Sequence, residues 1–296
     1  MTHRRIESPM AFTALALSGV VWGTSFVLGK VALVQLSVPH MILYRFIFAS
    51  IAFAPVLLRG MPRLDRNEWG LVAIAGVIGV PVQFLLQFEG LARTTASHAA
   101  LMIGTAPVLV AVAAFVVLHE RLHQRVWLAL VVSTAGVALI VMRTGSGGAG
   151  ALQPTLAGDL LVLASMFAAV VWILASKQLM VKHHPAVVSG LIAVTGTVPL
   201  AVWVLARNGP PPLHLTAQTW WATITLGVIA TTCATVLWNW GLAHTDAGKA
   251  GAFINLEPVV GATLGVWLLH ESLGPMALVG GAMIVAGALV AGASTT

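Results

Sequence analysis

The 296-residue chain contains few charged residues. Asp, Glu, Lys and Arg together make up 8% of it, whereas apolar residues make up 58%. A soluble globular domain carries about 25% charged residues, because water must solvate its surface. The composition therefore excludes a soluble globular protein and indicates an integral membrane protein.

Cysteine is almost absent as well. The single Cys233 excludes an internal disulfide, and its place inside an apolar run favours a small buried side chain. The sequence also lacks the phosphate-binding loop G-x-x-x-x-G-K-[ST], which excludes that class of ATP-driven protein. No cofactor is predicted, and any transport must draw on a gradient of the solute alone or of protons.

Long apolar runs are what the sequence does have. There are ten, centred near residues 20, 50, 80, 107, 133, 168, 196, 229, 259 and 284. They fall five and five around the glycine-rich stretch 143–158. Because lipid cannot hydrogen-bond to peptide groups, such runs predict helices. The expected fold is therefore an all-α integral membrane protein with ten transmembrane helices.

A gapless internal repeat relates residues 90–122 to residues 241–273 at an offset of 151, with 14 of 33 positions identical. The chain is therefore interpreted as two five-helix units, residues 1–150 and residues 151–296. Two related bundles around a midplane site are a recurring architecture of secondary transporters. The identical pairs include Gly90/Gly241, Leu91/Leu242, Ala92/Ala243, Thr94/Thr245, Pro107/Pro258, His119/His270, Glu120/Glu271 and Leu122/Leu273.

The distribution of Lys and Arg predicts the orientation. With the N-terminus inside, ten of these residues lie in cytoplasmic connections and four on the other side. Since cytoplasmic loops carry the excess, both termini are predicted to lie in the cytoplasm, with the chain in the cytoplasmic (inner) membrane. An odd number of helices per unit then makes the second unit inverted. This topology and anionic lipid also explain the net charge of +6, so no nucleic-acid partner is predicted.

Ionisable residues inside spans are costly in lipid, and each is a candidate for a site in the bundle interior. Glu257 directly precedes Pro258 and could bind an ammonium group or take a proton. Arg45 could hold a substrate carboxylate, and the two are the candidates for charge coupling. A structural hydrogen bond for Glu257, and an ion pair or interfacial anchor for Arg45, are the alternatives.

Amide and aromatic residues are further candidates for substrate binding. Gln83 and Gln87 lie one helical turn apart and share a face, with interhelical hydrogen bonding as the alternative role. The repeat pairs Gln87 with Trp238 and Phe88 with Asn239, which predicts a mixed surface suited to an amphipathic solute. The weaker substrate-binding candidates are Trp22, Ser25, Tyr44, Trp172, Asn255 and His98. The paired prolines Pro107 and Pro258 are the predicted gating hinges.

The segment from His119 through Glu120 to His123 is a literal H-E-x-x-H, the pattern of a zinc metalloprotease. The second copy has Gly274 where the second histidine would stand. The shared element is therefore His-Glu-x-Leu at the end of a span, and no metal site is predicted. A membrane-embedded metalloenzyme stays as a less favoured alternative.

These repeated elements resemble the EamA family of the drug/metabolite transporter superfamily. The resemblance rests on Gly-Leu-Ala, the mid-span proline and His-Glu-x-Leu in each copy. The opening Val-Val-Trp-Gly-Thr-Ser-Phe of residues 20–26 and Arg45-Phe46 are also similar, as are their expected counterparts in the second copy, Val-Val-Trp of residues 170–172 and Asn-Leu-Glu-Pro of residues 255–258. The second copy departs from the pattern with Leu191 near the position of Arg45. The resemblance implies two inverted five-helix repeats and a carrier, often an exporter, of amino acids or similar metabolites.

The sequence thus predicts a secondary transporter, not an enzyme, that exports small metabolites, above all amino acids, by alternating access. Gln83, Gln87, Trp238 and Glu257 are expected to hold the substrate. Nucleobases, sugars and drug-like cations remain alternative solutes. The expected partners are a small molecule and the lipid bilayer, and a monomer and a homodimer are equally open.

Overall fold

The computed structural model describes residues 9–106, 108–109, 112–113, 124–141, 154–244 and 253–293. Ten helices follow one another there, and these residues contain no strand. The first five are α1 (Pro9–Ala32), α2 (Val38–Arg59), α3 (Arg66–Val77, Ile78–Val82 and Gln83–Arg93), α4 (Ala96–Ile103) and α5 (Gln124–Val141). The second five are α6 (Leu156–Met180), α7 (Pro185–Asn208), α8 (Ala217–Thr225, Leu226–Cys233 and Ala234–Ala243), α9 (Leu256–Leu268) and α10 (Pro275–Ala293).

Six of these helices, namely α1, α2, α3, α6, α7 and α8, are long and apolar enough to cross a membrane. The helices α5, α9 and α10 contain shorter apolar stretches. The prediction of an all-α membrane fold with ten helices is confirmed.

Two helices contain a π-helical segment at equivalent positions of the repeat. In α3 the segment is Ile78–Val82, which contains Pro81, a residue without a backbone N–H. In α8 the segment is Leu226–Cys233. At the offset of 151, residues 78–82 correspond to residues 229–233, so both segments occupy the same place in their units. Short π segments are frequent at functional sites.

The fourth and ninth spans are interrupted at equivalent positions. The helix α4 ends at Ile103 and is followed by a turn that begins at Gly104. In the ninth span, the helical residues Phe253 and Ile254 are separated from α9 by a turn at Asn255. Gly104 and Asn255 correspond at the offset of 151. Helices broken in corresponding places are where membrane carriers build their binding sites.

Helices of the two halves pack in reciprocal pairs. The helix α1 packs against α8 as α6 packs against α3, and α2 packs against α8 as α7 packs against α3. In addition, α2 packs against α7, α4 against α9 and α5 against α10. Every pair therefore maps onto another pair, or onto itself, when the two halves are exchanged.

Close backbone approaches give the residue correspondence within these pairs. A Cβ atom on Gly227 would lie 2.5 Å from the carbonyl oxygen of Arg45, and one on Gly76 would lie 3.4 Å from that of Ile192. Gly227 and Gly76 correspond at an offset of 151, which makes Ile192 the counterpart of Arg45 at an offset of 147. The same correspondence relates Gly90, which closely approaches the backbone of Gly158, to Gly241, which closely approaches the backbone of Ala11.

The smaller offset has a simple origin. The helix α7 and the connection 209–216 are together four residues longer than α2 and the connection 60–65. Residues before these connections are therefore related by 147 and residues after them by 151. Ile192 thus takes the place of Arg45, one residue beyond Leu191, and Trp172 takes the place of Ser25.

The two ends of the bundle carry equivalent contacts of different chemistry. At one end, Lys182 Nζ donates to Glu68 Oε1 at 3.0 Å, and this hydrogen bond raises the pKa of Lys182. At the other end, Thr219 Oγ1 donates to Gln35 Oε1 at 2.8 Å. Lys182 corresponds to Gln35, and Glu68 corresponds to Thr219. The same contact is thus ionic at the Lys- and Arg-rich end and neutral at the opposite end.

The prediction that Cys233 is buried was wrong, because its side chain is exposed on the outside of α8. An apolar run does not indicate which of its residues face lipid and which face the protein, since both environments favour apolar side chains.

Candidate functional site

The side chain of Arg45 is buried in the interior of the bundle, with 4% of its surface exposed. Its Nε donates to Thr231 Oγ1 of α8 at 2.8 Å, and its Nη1 has no hydrogen-bond partner. The guanidinium carbon lies 4.5 Å from the ring centroid of Phe84 and 5.4 Å from that of Phe88, both on α3. The structure therefore holds a positive charge between aromatic rings with a hydrogen-bond donor to spare.

Glu257 is half-buried in the first turn of α9, directly after the break at Asn255. It interacts electrostatically with Arg45, but the two side chains form no salt bridge within 4.0 Å. The N-terminus of a helix favours a negative charge, which suits a carboxylate here. Two groups of opposite charge thus lie close enough to interact without forming a salt bridge.

Further buried polar side chains lie on the helices α1 and α3, which pack beside these charges. Gln83 and Gln87 are buried on α3, each directly before one of the phenylalanine rings that flank Arg45. Ser25 is buried on α1, one turn before Gly29, which packs against the ring of Phe88. Neither Ser25 Oγ nor Gln83 Oε1 has a hydrogen-bond partner. A buried polar atom without a partner costs about 1–3 kcal/mol, so a cluster of them requires an explanation beyond packing.

An aromatic pair adjoins this polar group. The rings of Trp22 on α1 and Trp238 on α8 lie with their centroids 5.5 Å apart at an interplanar angle of 43°. Trp22 lies one turn before Ser25 on the same face of α1. The polar cluster therefore has an aromatic wall on one side.

Three predicted binding residues are engaged elsewhere in helix packing. The Tyr44 hydroxyl donates to the carbonyl oxygen of Pro212 at 3.0 Å. Asn239 Nδ2 donates to Ser189 Oγ at 3.2 Å. Trp172 packs against the backbone of α3, where a Cβ on Gly79 would lie 2.6 Å from its ring. The structure does not place these side chains around Arg45.

Of the two predicted hinges, Pro258 is buried in the first turn of α9, where the missing N–H of proline removes no helical hydrogen bond. It faces the break in the fourth span, since a Cβ on Gly104 would lie 3.4 Å from its Cγ. Pro107 lies outside the described residues. The two helix interruptions therefore meet each other at Pro258.

The polar cluster is present in only one half of the repeat. Each of its members has an apolar counterpart in the other half. The pairs are Ser25 and Trp172, Arg45 and Ile192, Gln83 and Ala234, and Glu257 and Ala106. A one-sided distribution is what a binding site built from one member of each equivalent pair would produce.

Two carboxylates that were not predicted as site residues contact the junction of α3 and α4. Glu271 Oε1 accepts from Ala96 N at 2.7 Å, and Glu271 Oε2 accepts from Ser97 N at 2.8 Å and from Ser97 Oγ at 2.7 Å. These bonds satisfy the free N–H groups at the start of α4. They give the Glu of His-Glu-x-Leu a structural role that its occurrence in both copies hinted at.

The second carboxylate, that of Asp159 on α6, is completely buried. Thr94 Oγ1 donates to its Oδ1 at 2.6 Å, and His98 Nδ1 lies 3.5 Å from its Oδ2. Lys30 donates to the carbonyl oxygen of Thr94 beside it. Asp159 and Glu271 both reach from the second half of the chain to the first.

No metal site emerges from the described part of the chain, where no three His, Cys, Asp or Glu side chains converge. The H-E-x-x-H residues His119, Glu120 and His123 lie outside it.

Comparison with known proteins identifies the scaffold. The chain matches the EamA-like transporter family twice, over residues 9–142 and residues 156–293. A solved crystal structure, 19% identical in sequence, matches the fold with a TM-score of 0.65 and covers 96% of this chain and 98% of its own.

Curated relatives of similar length carry transporter names. A protein of Archaeoglobus fulgidus named an uncharacterized transporter is 28% identical over 284 residues, covering 92% of this chain and 94% of its own. A protein of Streptantibioticus cattleyicolor named a probable terminal-alkyne amino-acid exporter is 28% identical over 287 residues, covering 95% and 92%. The chain therefore belongs to the EamA-like transporter family of the drug/metabolite transporter superfamily, and is a multi-pass membrane transporter.

Proposed function

We propose that this protein is a secondary transporter that exports amino acids across the cytoplasmic membrane by alternating access. Residues 1–150 and residues 151–296 form its two units, inverted relative to each other, with both termini in the cytoplasm. The reciprocal helix contacts and the family match in each half support the two units. The amino-acid exporter among the relatives supports the substrate class.

The opposed charges of Arg45 and Glu257 carry the proposal. A charge removed from water is costly unless it finds a partner. Arg45 is buried and Glu257 half-buried, and these two do not pair with each other directly. A zwitterionic amino acid supplies both partners at once. Its carboxylate accepts from the free Nη1 of Arg45, and its ammonium group donates to Glu257.

The neighbouring polar and aromatic side chains suit the ammonium group and the side chain of an amino acid. Ser25 Oγ and the amide oxygen of Gln83 are free to accept hydrogen bonds from the ammonium group. The rings of Trp22 and Trp238 offer an apolar surface to the substrate side chain. The combination is polar at one end and aromatic at the other, as an amphipathic solute requires.

The contacts of Asp159 and Glu271 with the first half join the two halves at one end of the bundle. Rocking of one unit against the other must break these hydrogen bonds. They are therefore the contacts that form and break during alternating access.

Transport by the purified protein in proteoliposomes tests the proposal. Uptake of a panel of radiolabelled amino acids is measured with and without a pH gradient, for the natural protein and for Arg45→Gln and Glu257→Gln. We expect several amino acids to be carried, and each substitution to lower transport about 10- to 100-fold, because a hydrogen bond to a charged group is worth about 1.5–3 kcal/mol. Arg93→Gln, which alters an exposed ion pair with Glu89, is the matched control and should transport normally.

Absence of transport across the panel by folded protein would overturn the substrate class and direct the same assay to nucleobases, sugars and organic cations. Normal transport by both Arg45→Gln and Glu257→Gln would remove the site. If Glu257→Gln alone abolishes the response to the pH gradient, Glu257 also carries the coupled proton.

A further inference from the structure

The hydroxyl of Thr231 has a fixed orientation. It accepts from Arg45 Nε at 2.8 Å and donates to the carbonyl oxygen of Leu226, five residues earlier in the π segment of α8, also at 2.8 Å. Because a hydroxyl has one proton, donating it to Leu226 leaves only its lone pairs to face Arg45. Thr231 can therefore act towards Arg45 only as an acceptor.

This contact and the neighbouring rings together determine the plane of the guanidinium group. Thr231 fixes the Nε edge, and Phe84 and Phe88 lie within 6 Å of the guanidinium carbon. A guanidinium group is rigid and planar, so fixing one edge and one face also fixes where the Nη atoms point. The buried Nη1, which has no partner, is thereby held in one direction.

The duplicated half provides an internal comparison. The counterpart of Arg45 is Ile192, and the counterpart of Thr231 is Val80. Both members of the pair are polar in one half and both are apolar in the other. The π segment of α3 contains Pro81 and forms without a hydroxyl at Val80. It is present where there is an arginine to orient.

We propose that Thr231 is a positioning residue that sets specificity for a carboxylate, by holding Arg45 so that Nη1 meets the carboxylate of the substrate. This inference rests on the proposed function. Without the hydroxyl, the buried Nε loses its acceptor, the guanidinium group turns to find another, and Nη1 leaves its position. The carrier then loses its preference for amino acids over analogues that lack the carboxylate.

The test compares L-leucine with L-leucinamide, which keeps the ammonium group and side chain but has no carboxylate. The variants are Thr231→Val, which has the same shape but no hydroxyl, and Thr231→Ser, which keeps the hydroxyl. The matched control is Thr232→Val, because Thr232 Oγ1 also donates to the carbonyl five residues earlier but does not touch Arg45. Uptake into proteoliposomes gives KM and maximal rate for each pair.

We expect Thr231→Val to raise the KM for leucine about tenfold and to leave the KM for leucinamide unchanged, the size of effect that loss of one hydrogen bond to a charged group produces. Thr231→Ser should restore the natural KM within about twofold, and Thr232→Val should change the KM for both compounds equally or not at all. If Thr231→Val does not fold, Thr231→Ala replaces it with the same expectation.

An unchanged KM for leucine in Thr231→Val, while Arg45→Gln raises it, would overturn the inference and leave the proposed function standing. An equal rise for leucine and leucinamide, or the same selective loss in Thr232→Val, would also overturn it, because the effect would then be structural. An unchanged KM for leucine in Arg45→Gln itself would remove Arg45 from the proposed site and overturn the inference with it.

Discussion

Ser50 Oγ lies 3.2 Å from Thr197 Oγ1, and the two residues are counterparts in the two halves of the chain at the offset of 147. The contact joins α2 to α7, two helices that exchange places when the halves are exchanged. A contact that maps onto itself lies on the approximate twofold axis relating the halves. In the proposed alternating access, points on this axis are the natural pivot of one unit against the other.

A disulfide at this pivot should form without stopping transport. In a Cys233→Ala background, Ser50→Cys together with Thr197→Cys should cross-link under mild oxidation, since the two side-chain oxygens are already in contact. Transport should retain more than about half of its rate, because the pivot does not open during rocking. Gel mobility reports the cross-link, and uptake before and after reduction reports the rate. Complete inactivation that reduction reverses would contradict a pivot here.

Loss of the charge of Glu271 should weaken the contact between the two halves at the start of α4. Glu271→Gln keeps the size of the side chain but weakens three hydrogen bonds to Ala96 and Ser97, at a cost of about 1–3 kcal/mol. We expect a lower melting temperature in detergent. The control Glu89→Gln breaks an exposed ion pair with Arg93 and should cost less than about 1 kcal/mol. Equal melting temperatures for the two variants would show that the hydrogen bonds from Ala96 and Ser97 to Glu271 contribute nothing to stability.

Addition of a methyl group at Gly227 should disturb the site by pushing α8 away from the backbone of Arg45. Its Cβ would lie 2.5 Å from the carbonyl oxygen of Arg45 and 2.6 Å from Cβ of Phe48, so α8 must move away from α2. We expect Gly227→Ala to cost about 1–3 kcal/mol and to lower transport together with stability. Gly70→Ala on α3 is the control, because no atom lies within 4 Å of its Cβ. A Gly227→Ala protein as active and stable as the control would refute the close approach.

Accessibility to an impermeant maleimide tests the orientation. Leu213 and Val181 are exposed and lie in the connections after α7 and after α6. In the Cys233→Ala background, Leu213→Cys should react in intact cells, whereas Val181→Cys should react only after permeabilisation. The reverse pattern would place the termini outside the cytoplasm.

The sequence predicts the helices and the duplication because both depend on patterns along the chain. Long apolar runs predict the spans, and identity at a constant offset predicts the second unit. It does not reveal that Cys233 faces outward, since lipid and protein interior select the same residues. It also misplaces the counterpart of Arg45 by one residue, because the change of offset at the longer α7 and its connection is invisible without the contacts that define it.

The site residues likewise include some that the sequence reveals and others that only the structure reveals. Arg45 and Glu257 stand out in the sequence because ionisable groups are rare within spans. Thr231 does not, because a threonine in an apolar run has many possible roles and only its contact with Arg45 distinguishes it. Tyr44 and Asn239 looked equally suitable, but their helices turn them towards a loop carbonyl and Ser189.

The reciprocal scaffold separates the requirements of motion from those of recognition. The glycine approaches and the contacts between helices recur in both halves, whereas the charged and amide side chains of the proposed site occupy only one of each pair of equivalent positions. A duplicated gene can therefore acquire a new cargo through a few substitutions in one copy, while its twin preserves the moving parts. Divergence of substrates among proteins of this architecture should be concentrated at such unmatched positions.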